Sequence, residues 1–175
     1  MNHLIQILII LFLFFSCQRN GSKQEEIISD VSDTTAATFK NPLPVAIGDP
    51  YVLYDSDGRY YMYGTGGGAK DGFPAFSSED LVNWKHEGQI YYGNNEETWG
   101  IDHFWAPEVY KRNGKYYMFY SAQWEENPTQ ELENFRIGVA VANNPIGPFK
   151  DLYNKPVFDP GYPILDANVF FDQDG

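Results

Sequence analysis

Cysteine is nearly absent: Cys17 is the only one in 175 residues, which excludes an intramolecular disulfide even if the chain is exported. Basic residues are scarce. Twelve Lys and Arg stand against 24 Asp and Glu, for a formal charge of −12. With no Lys/Arg cluster to neutralise phosphates, nucleic acid is excluded as a partner. Long apolar runs are missing too, the longest being Leu4 to Phe15, interrupted only by Gln6. That is too short for a spanning helix, which needs about 20 residues. No segment shows a sustained 3.6-residue period, which argues against a helical domain. What the chain does have is aromatic residues, 17% of the total, and 16 glycines. Together they point to short strands and tight turns.

The apolar run is placed like the core of a signal peptide. Residues 1–16 carry no Lys, Arg, Asp or Glu, so the usual cationic start is reduced to the terminal amine and His3. Phe14-Phe15-Ser16-Cys17 resembles the cleavage box of a bacterial lipoprotein, which would make Cys17 the lipidated first residue of the mature chain. One acyl chain anchors marginally and several hold stably. Residues 17–40 are polar and lack an apolar period, as expected of a flexible tether. The expected location is therefore outside the cytoplasm, at the outer membrane, cell surface or periplasm, with the membrane touched only through the anchor.

From residue 41 onward the chain repeats itself. Asp49-Pro50-Tyr51-Val52 leads to Gly58, Ala106-Pro107-Glu108-Val109 to Gly114, and Asp166-Ala167-Asn168-Val169 to Gly175. The first two copies continue alike, as Arg59-Tyr60-Tyr61-Met62-Tyr63 and Lys115-Tyr116-Tyr117-Met118-Phe119. Each is a strand, a glycine turn and an aromatic strand. The copies begin 57 and 60 residues apart, a period that fits the blades of a β-propeller. The expected fold is all-β, and residues 41–175 hold about two blades and the start of a third. Since propellers close with roughly 4 to 8 blades, and the third copy stops in its turn, the chain is expected to be the N-terminal part of a longer protein.

The innermost strands of a propeller line one channel, so the first slot of each copy faces the same axial space. Two of the three slots hold Asp, Asp49 and Asp166. Paired carboxylates suit acid/base chemistry on a sugar, while an Asp before Pro is also an ordinary turn former. Trp105 precedes the slot residue Ala106 and could stack on a sugar or pack between blades. Trp99, Asp102 and His103 lie in the expected loop leading into Phe104, at the expected pocket mouth. His103 has no second His or Cys beside it and is not a metal site. Glu108 occupies the station of Tyr51 and Asn168, where a structural hydrogen bond is expected. Glu125, Glu126, Glu131 and Glu133 read as a solvated loop.

Six segments in order resemble glycoside hydrolase family 43: Gly48-Asp49-Pro50-Tyr51-Val52, Phe104-Trp105-Ala106-Pro107-Glu108-Val109, Gly114 to Ser121, Gly138 to Ala142, Gly147-Pro148-Phe149, and Leu165 to Gly175. The resemblance implies a five-bladed β-propeller and an inverting glycosidase, acting on xylosides and arabinofuranosides of plant cell-wall type. It makes Asp49 the general base and Asp166 the carboxylate that orients the acid and tunes its pKa. The general acid would be a Glu of the following blade, so this stretch alone is expected to be weakly active or inactive. His103, Trp105 and Ala106 are the expected substrate contacts. No cofactor is required, though a structural calcium or sodium ion at the axis is compatible with the family, and the expected state is a monomer with carbohydrate as its partner. Two rivals remain: a non-catalytic glycan-binding propeller or inactive fragment, and a fructan or sucrose hydrolase of a neighbouring propeller family. Those families carry Arg-Asp-Pro as their second acidic motif, where this chain has Leu165-Asp166-Ala167.

Overall fold

The structure, a computed structural model, describes residue 41 and residues 43–66, 71–125 and 134–173. The expected signal peptide, the lipidated Cys17, the tether, and Glu126, Glu131 and Glu133 lie outside the described residues. Among the described residues no helix is long and apolar enough to cross a membrane.

Two four-stranded antiparallel sheets follow one another along the chain. The first is β1 (Ile47–Tyr54), β2 (Tyr60–Gly66), β3 (Gly72–Ser78) and β4 (Lys85–Tyr92). The second is β5 (Asp102–Arg112), β6 (Lys115–Gln123), β7 (Phe135–Ala142) and β8 (Lys150–Asp151). Each is a simple meander, so neighbours in sequence are neighbours in space. These are two propeller blades, as the repeat implies.

Local chemistry sets the turns. Arg112 pairs with Lys115 across Asn113-Gly114, and both loop residues take positive φ, 49° and 74°. A two-residue hairpin of that hand requires such angles, and Asn-Gly is the pair that adopts them most readily. In the first blade a longer loop closes through Asp55 N–H to Arg59 C=O at 2.9 Å. Beyond it, β1 alternates: Tyr51 and Leu53 pack against the core while Val52 and Tyr54 are exposed.

The blades share one aromatic core. Phe73 and Tyr91 of the first meet Phe104 and Tyr120 of the second, with Phe73 edge-on to Phe104 at 6.2 Å and Tyr91 5.1 Å from Tyr120. All four rings are fully or almost fully buried. Each such side chain contributes roughly 1.5–3 kcal/mol by leaving water, which makes this interface the main apolar bond between blades. Trp99 belongs to it as well. It stacks on Tyr120 at 5.7 Å and 21°, so the expectation that it lines the pocket mouth is corrected: its flat ring is drawn into the aromatic core. Asp102 and His103 are not in a loop but open β5.

The third copy follows β8 without strand pairing among the described residues. It lies against the second blade all the same: Phe171 packs edge-on to Tyr110 at 5.8 Å, and the Arg112 guanidinium sits 4.9 Å from the Phe171 ring centre.

Candidate active site

All three slot residues have left-handed backbone: φ is 46° at Asp49, 45° at Ala106 and 61° at Asp166. The cause in the two paired copies is a break in the ladder, between Gly48 and Tyr51 in β1 and between Trp105 and Glu108 in β5. A bulge of this kind bends its strand and re-aims a side chain. Asp tolerates the left-handed region through its short polar side chain, whereas Ala pays a steric penalty of roughly 1–2 kcal/mol there. The repeat seen in the sequence is thus a repeat of backbone geometry, with each slot turned the same way.

The carboxylates of Asp49 and Asp166 are solvent-exposed. Asp166 is nonetheless pushed above the ordinary carboxylate value, first by partial burial, then by the charges of Asp49 and Glu108. The charges of Asp49 and Glu108, from the two preceding copies, therefore reach Asp166. Glu108 is committed to neighbours, accepting hydrogen bonds from the Tyr110 hydroxyl and from Asn168 Nδ2, the latter at 3.2 Å. Tyr110, pushed up to about 12 by burial and by its bond to Glu108, stays a donor. The structural role expected of Glu108 is what the geometry gives it.

Asp49 is held by a side chain the sequence reading did not single out. The Thr65 hydroxyl donates to Asp49 Oδ2 at 2.9 Å, and Thr65 Oγ1 accepts the Ala106 N–H at 3.0 Å. In the next blade, Ser121 Oγ accepts the Asp166 N–H at 2.9 Å. Aligning Tyr61-Met62 with Tyr117-Met118 puts Thr65 and Ser121 at one station of the repeat. That alignment was the available signal.

Trp105 and His103 gather beside the Ala106 slot. Trp105 lies against Phe135 of β7 at 4.6 Å and 30°, and His103 stands edge-on to Trp105 at 5.3 Å. Both are half-buried, so an aromatic shelf with some exposure lies next to the Ala106 slot in the chain. His103, at φ 51°, has its Nδ1 buried without a hydrogen-bond partner, 3.6 Å from Asp102 Oδ2. Among the described residues no group of three or more His, Cys, Asp or Glu is arranged to hold a metal ion.

The family described as Glycosyl hydrolases family 43 matches residues 39–175. The chain belongs to that family. Among curated proteins, it is 31% identical to an arabinoxylan arabinofuranohydrolase of Bacillus subtilis (strain 168), over 95% of this chain and 37% of that one. Among solved structures, it resembles a thermostable family-43 glycoside hydrolase at 39% identity and TM-score 0.68, covering 79% of this chain and 42% of the other. An endo-arabinase from Bacteroides thetaiotaomicron VPI-5482 aligns at 29% identity and TM-score 0.64, over 79% and 46%. The chain spans between 22% and 37% of the lengths of four curated relatives it matches.

Proposed function

We propose that these residues form the water-activating part of an inverting glycosidase site acting on pentose-containing polymers of plant cell walls. The observation that carries the reading is the coupling of Asp49 to Asp166 from equivalent, left-handed slots. In the reaction, a water attacks the anomeric carbon while Asp49 takes its proton, and the glycosidic C–O bond breaks with the electron pair leaving on oxygen. That oxygen needs a proton. Glu108, tied to Tyr110 and Asn168, is not assigned this part, which falls to a Glu of a further blade. Asp166, its own charge opposed by Asp49 and Glu108, serves as the orienting carboxylate beside that acid. Trp105, with His103 and the Ala106 slot at its side, offers a face on which a sugar ring stacks. Relatives acting on arabinan and arabinoxylan support the substrate class, and export with acylation at Cys17 completes the reading.

The test uses a leaving group that needs no proton. Dinitrophenyl β-xyloside and α-arabinofuranoside are offered to the chain and to Asp49→Ala, with the anomer of the product followed by NMR. The expected result is slow hydrolysis with inversion, reduced in Asp49→Ala by roughly 10²- to 10⁴-fold, the usual scale of a general base. Equal rates in the two proteins, or a product of retained configuration, would sink the proposal.

A further inference from the structure

We infer that Thr65 is the positioning residue for Asp49, and that it ties the base to the backbone of the neighbouring blade. The inference rests on the reading of Asp49 as the base. A hydroxyl has one proton and two acceptor sites. Since Thr65 Oγ1 accepts the Ala106 N–H at 3.0 Å, its own proton is free to point at Asp49 Oδ2, 2.9 Å away. One oxygen of the carboxylate is then fixed, and Oδ1 is left for the water. An exposed Asp on a left-handed backbone otherwise has several rotamers open to it, and only one aims at a given anomeric carbon.

The identity of the residue matters. Thr65 pairs with Gly48 in the β1–β2 ladder, one residue before Asp49, so the hydroxyl approaches the carboxylate from the adjacent strand. Its β-branch restricts χ1, which keeps the hydroxyl pointed along the line from Ala106 to Asp49. Ser121, at the same station of the second blade, is fully buried and accepts the Asp166 N–H. The device therefore recurs: a hydroxyl near the end of the second strand of each blade accepts the slot N–H of the following blade. Only in the first blade does it also hold the carboxylate of its own slot, which is where the base stands.

The experiment compares Thr65→Val, which keeps the shape and loses both bonds, with Thr65→Ser, which keeps the hydroxyl; Thr65→Ala stands in if the valine variant does not fold. Two readouts are taken. Three-bond couplings of Asp49 report its χ1 populations without any substrate, and kcat and KM are measured on dinitrophenyl α-arabinofuranoside. The expected result is a single Asp49 rotamer in the wild type and Thr65→Ser, averaging in Thr65→Val, and a fall in kcat of up to ~10²-fold with KM little changed. Thr65→Ser recovers most of the rate. An Asp49 that keeps one rotamer in Thr65→Val overturns the inference, as does a kcat equal to that of an active wild type. If the wild type itself does not turn over while Asp49 averages in Thr65→Val, the positioning stands, and the reading of these residues as a water-activating site that works without the further blade falls.

Discussion

Lys111 of the second blade reaches back to Asp55 of the first, with its Nζ 2.5 Å from Asp55 Oδ1. Asp55 is 5% exposed and is fully served: Tyr116 donates to its other oxygen, and the Ser56 N–H donates to Oδ1 at 2.7 Å. This carboxylate is an inter-blade bolt at the opposite end of β1 from Asp49. Burial pushes Asp55 up, but the bonds from Lys111, Tyr116 and Ser56 outweigh it and hold the group below the ordinary carboxylate value.

Removing that bolt should be costly. Asp55→Asn keeps the volume and one acceptor oxygen but removes the charge and sets an amide NH2 against either Lys111 or the Tyr116 hydroxyl, and a loss of about 3 kcal/mol is expected, the low end for a buried ion pair because Lys111 remains within reach of water. Urea unfolding at pH 7 measures it. With a folded pKa below the unfolded value, the contribution is present above the unfolded pKa of about 3.9 and is lost as pH falls through the folded one. The stability gap between wild type and Asp55→Asn should therefore narrow on acidification below pH 4.

Asp151 should behave with the opposite sign. Burial raises it above the ordinary value, only partly offset by hydrogen bonds from Tyr120, Tyr91 and the Trp99 N–H. Its carboxylate, the Tyr120 hydroxyl at 2.6 Å and the Tyr91 hydroxyl at 3.1 Å form a triangle, since the two hydroxyls are themselves 2.8 Å apart. Two protons from the tyrosines cannot fill three contacts, and protonating Asp151 would add the third donor. A raised folded pKa means that the stabilising contribution is full below the unfolded pKa and is lost as pH rises through the folded value. Thermal melts across pH 4 to 7 should show the advantage of wild type over Asp151→Asn shrinking as pH rises.

The blade repeat and its slots were legible because they rest on local signals: Gly turns, Tyr-Tyr-Met strands and a constant spacing. The motifs also carried the family, which the match over residues 39–175 shows. Interactions that join blades left no such trace. Asp55 with Lys111, and Tyr91 with Tyr120 and Asp151, are 56, 29 and 60 residues apart in sequence. Their pairing is decided by how two sheets dock, which strand periodicity does not encode. Trp99 shows the same limit from the other side. A tryptophan in the approach to a slot reads as part of the pocket mouth, and only the docked Tyr120 ring shows that it is core. Thr65 was within reach of the repeat alignment, but as a hydroxyl at a strand end it carries no special pattern of its own.

Glycines enforce the inter-blade core, and Gly93 is the sharpest case. A Cβ there would lie 2.1 Å from Phe104 Cζ, and Phe104 is completely buried between Phe73, Tyr91 and Tyr120. With its ring hemmed in, Phe104 has nowhere to retreat, so Gly93→Ala is expected to cost on the order of 1–3 kcal/mol, as overpacked cores do. Gly114→Ala, with open space around its Cβ position but a φ of +74°, should cost roughly 1 kcal/mol through backbone strain alone. Denaturant melts of the two variants, read beside near-ultraviolet circular dichroism, separate the mechanisms: only Gly93→Ala should perturb the aromatic signal.

The pairing of the two slot carboxylates can be tested without any substrate. Asp166 is raised first by burial and then by the charges of Asp49 and Glu108. Neutralising either neighbour, as Asp49→Asn or Glu108→Gln, leaves the burial in place and removes one repulsion, so the Asp166 midpoint should move down toward the ordinary carboxylate value in both variants. Carboxyl ¹³C titration of Asp166 reads this directly. High salt should produce a smaller change in the same direction in the wild type, because exposed charges are screened over a Debye length of about 3 Å at 1 M. An Asp166 midpoint indifferent to Asp49→Asn would mean that the two slots do not face one space, and the site built on them would fail with it.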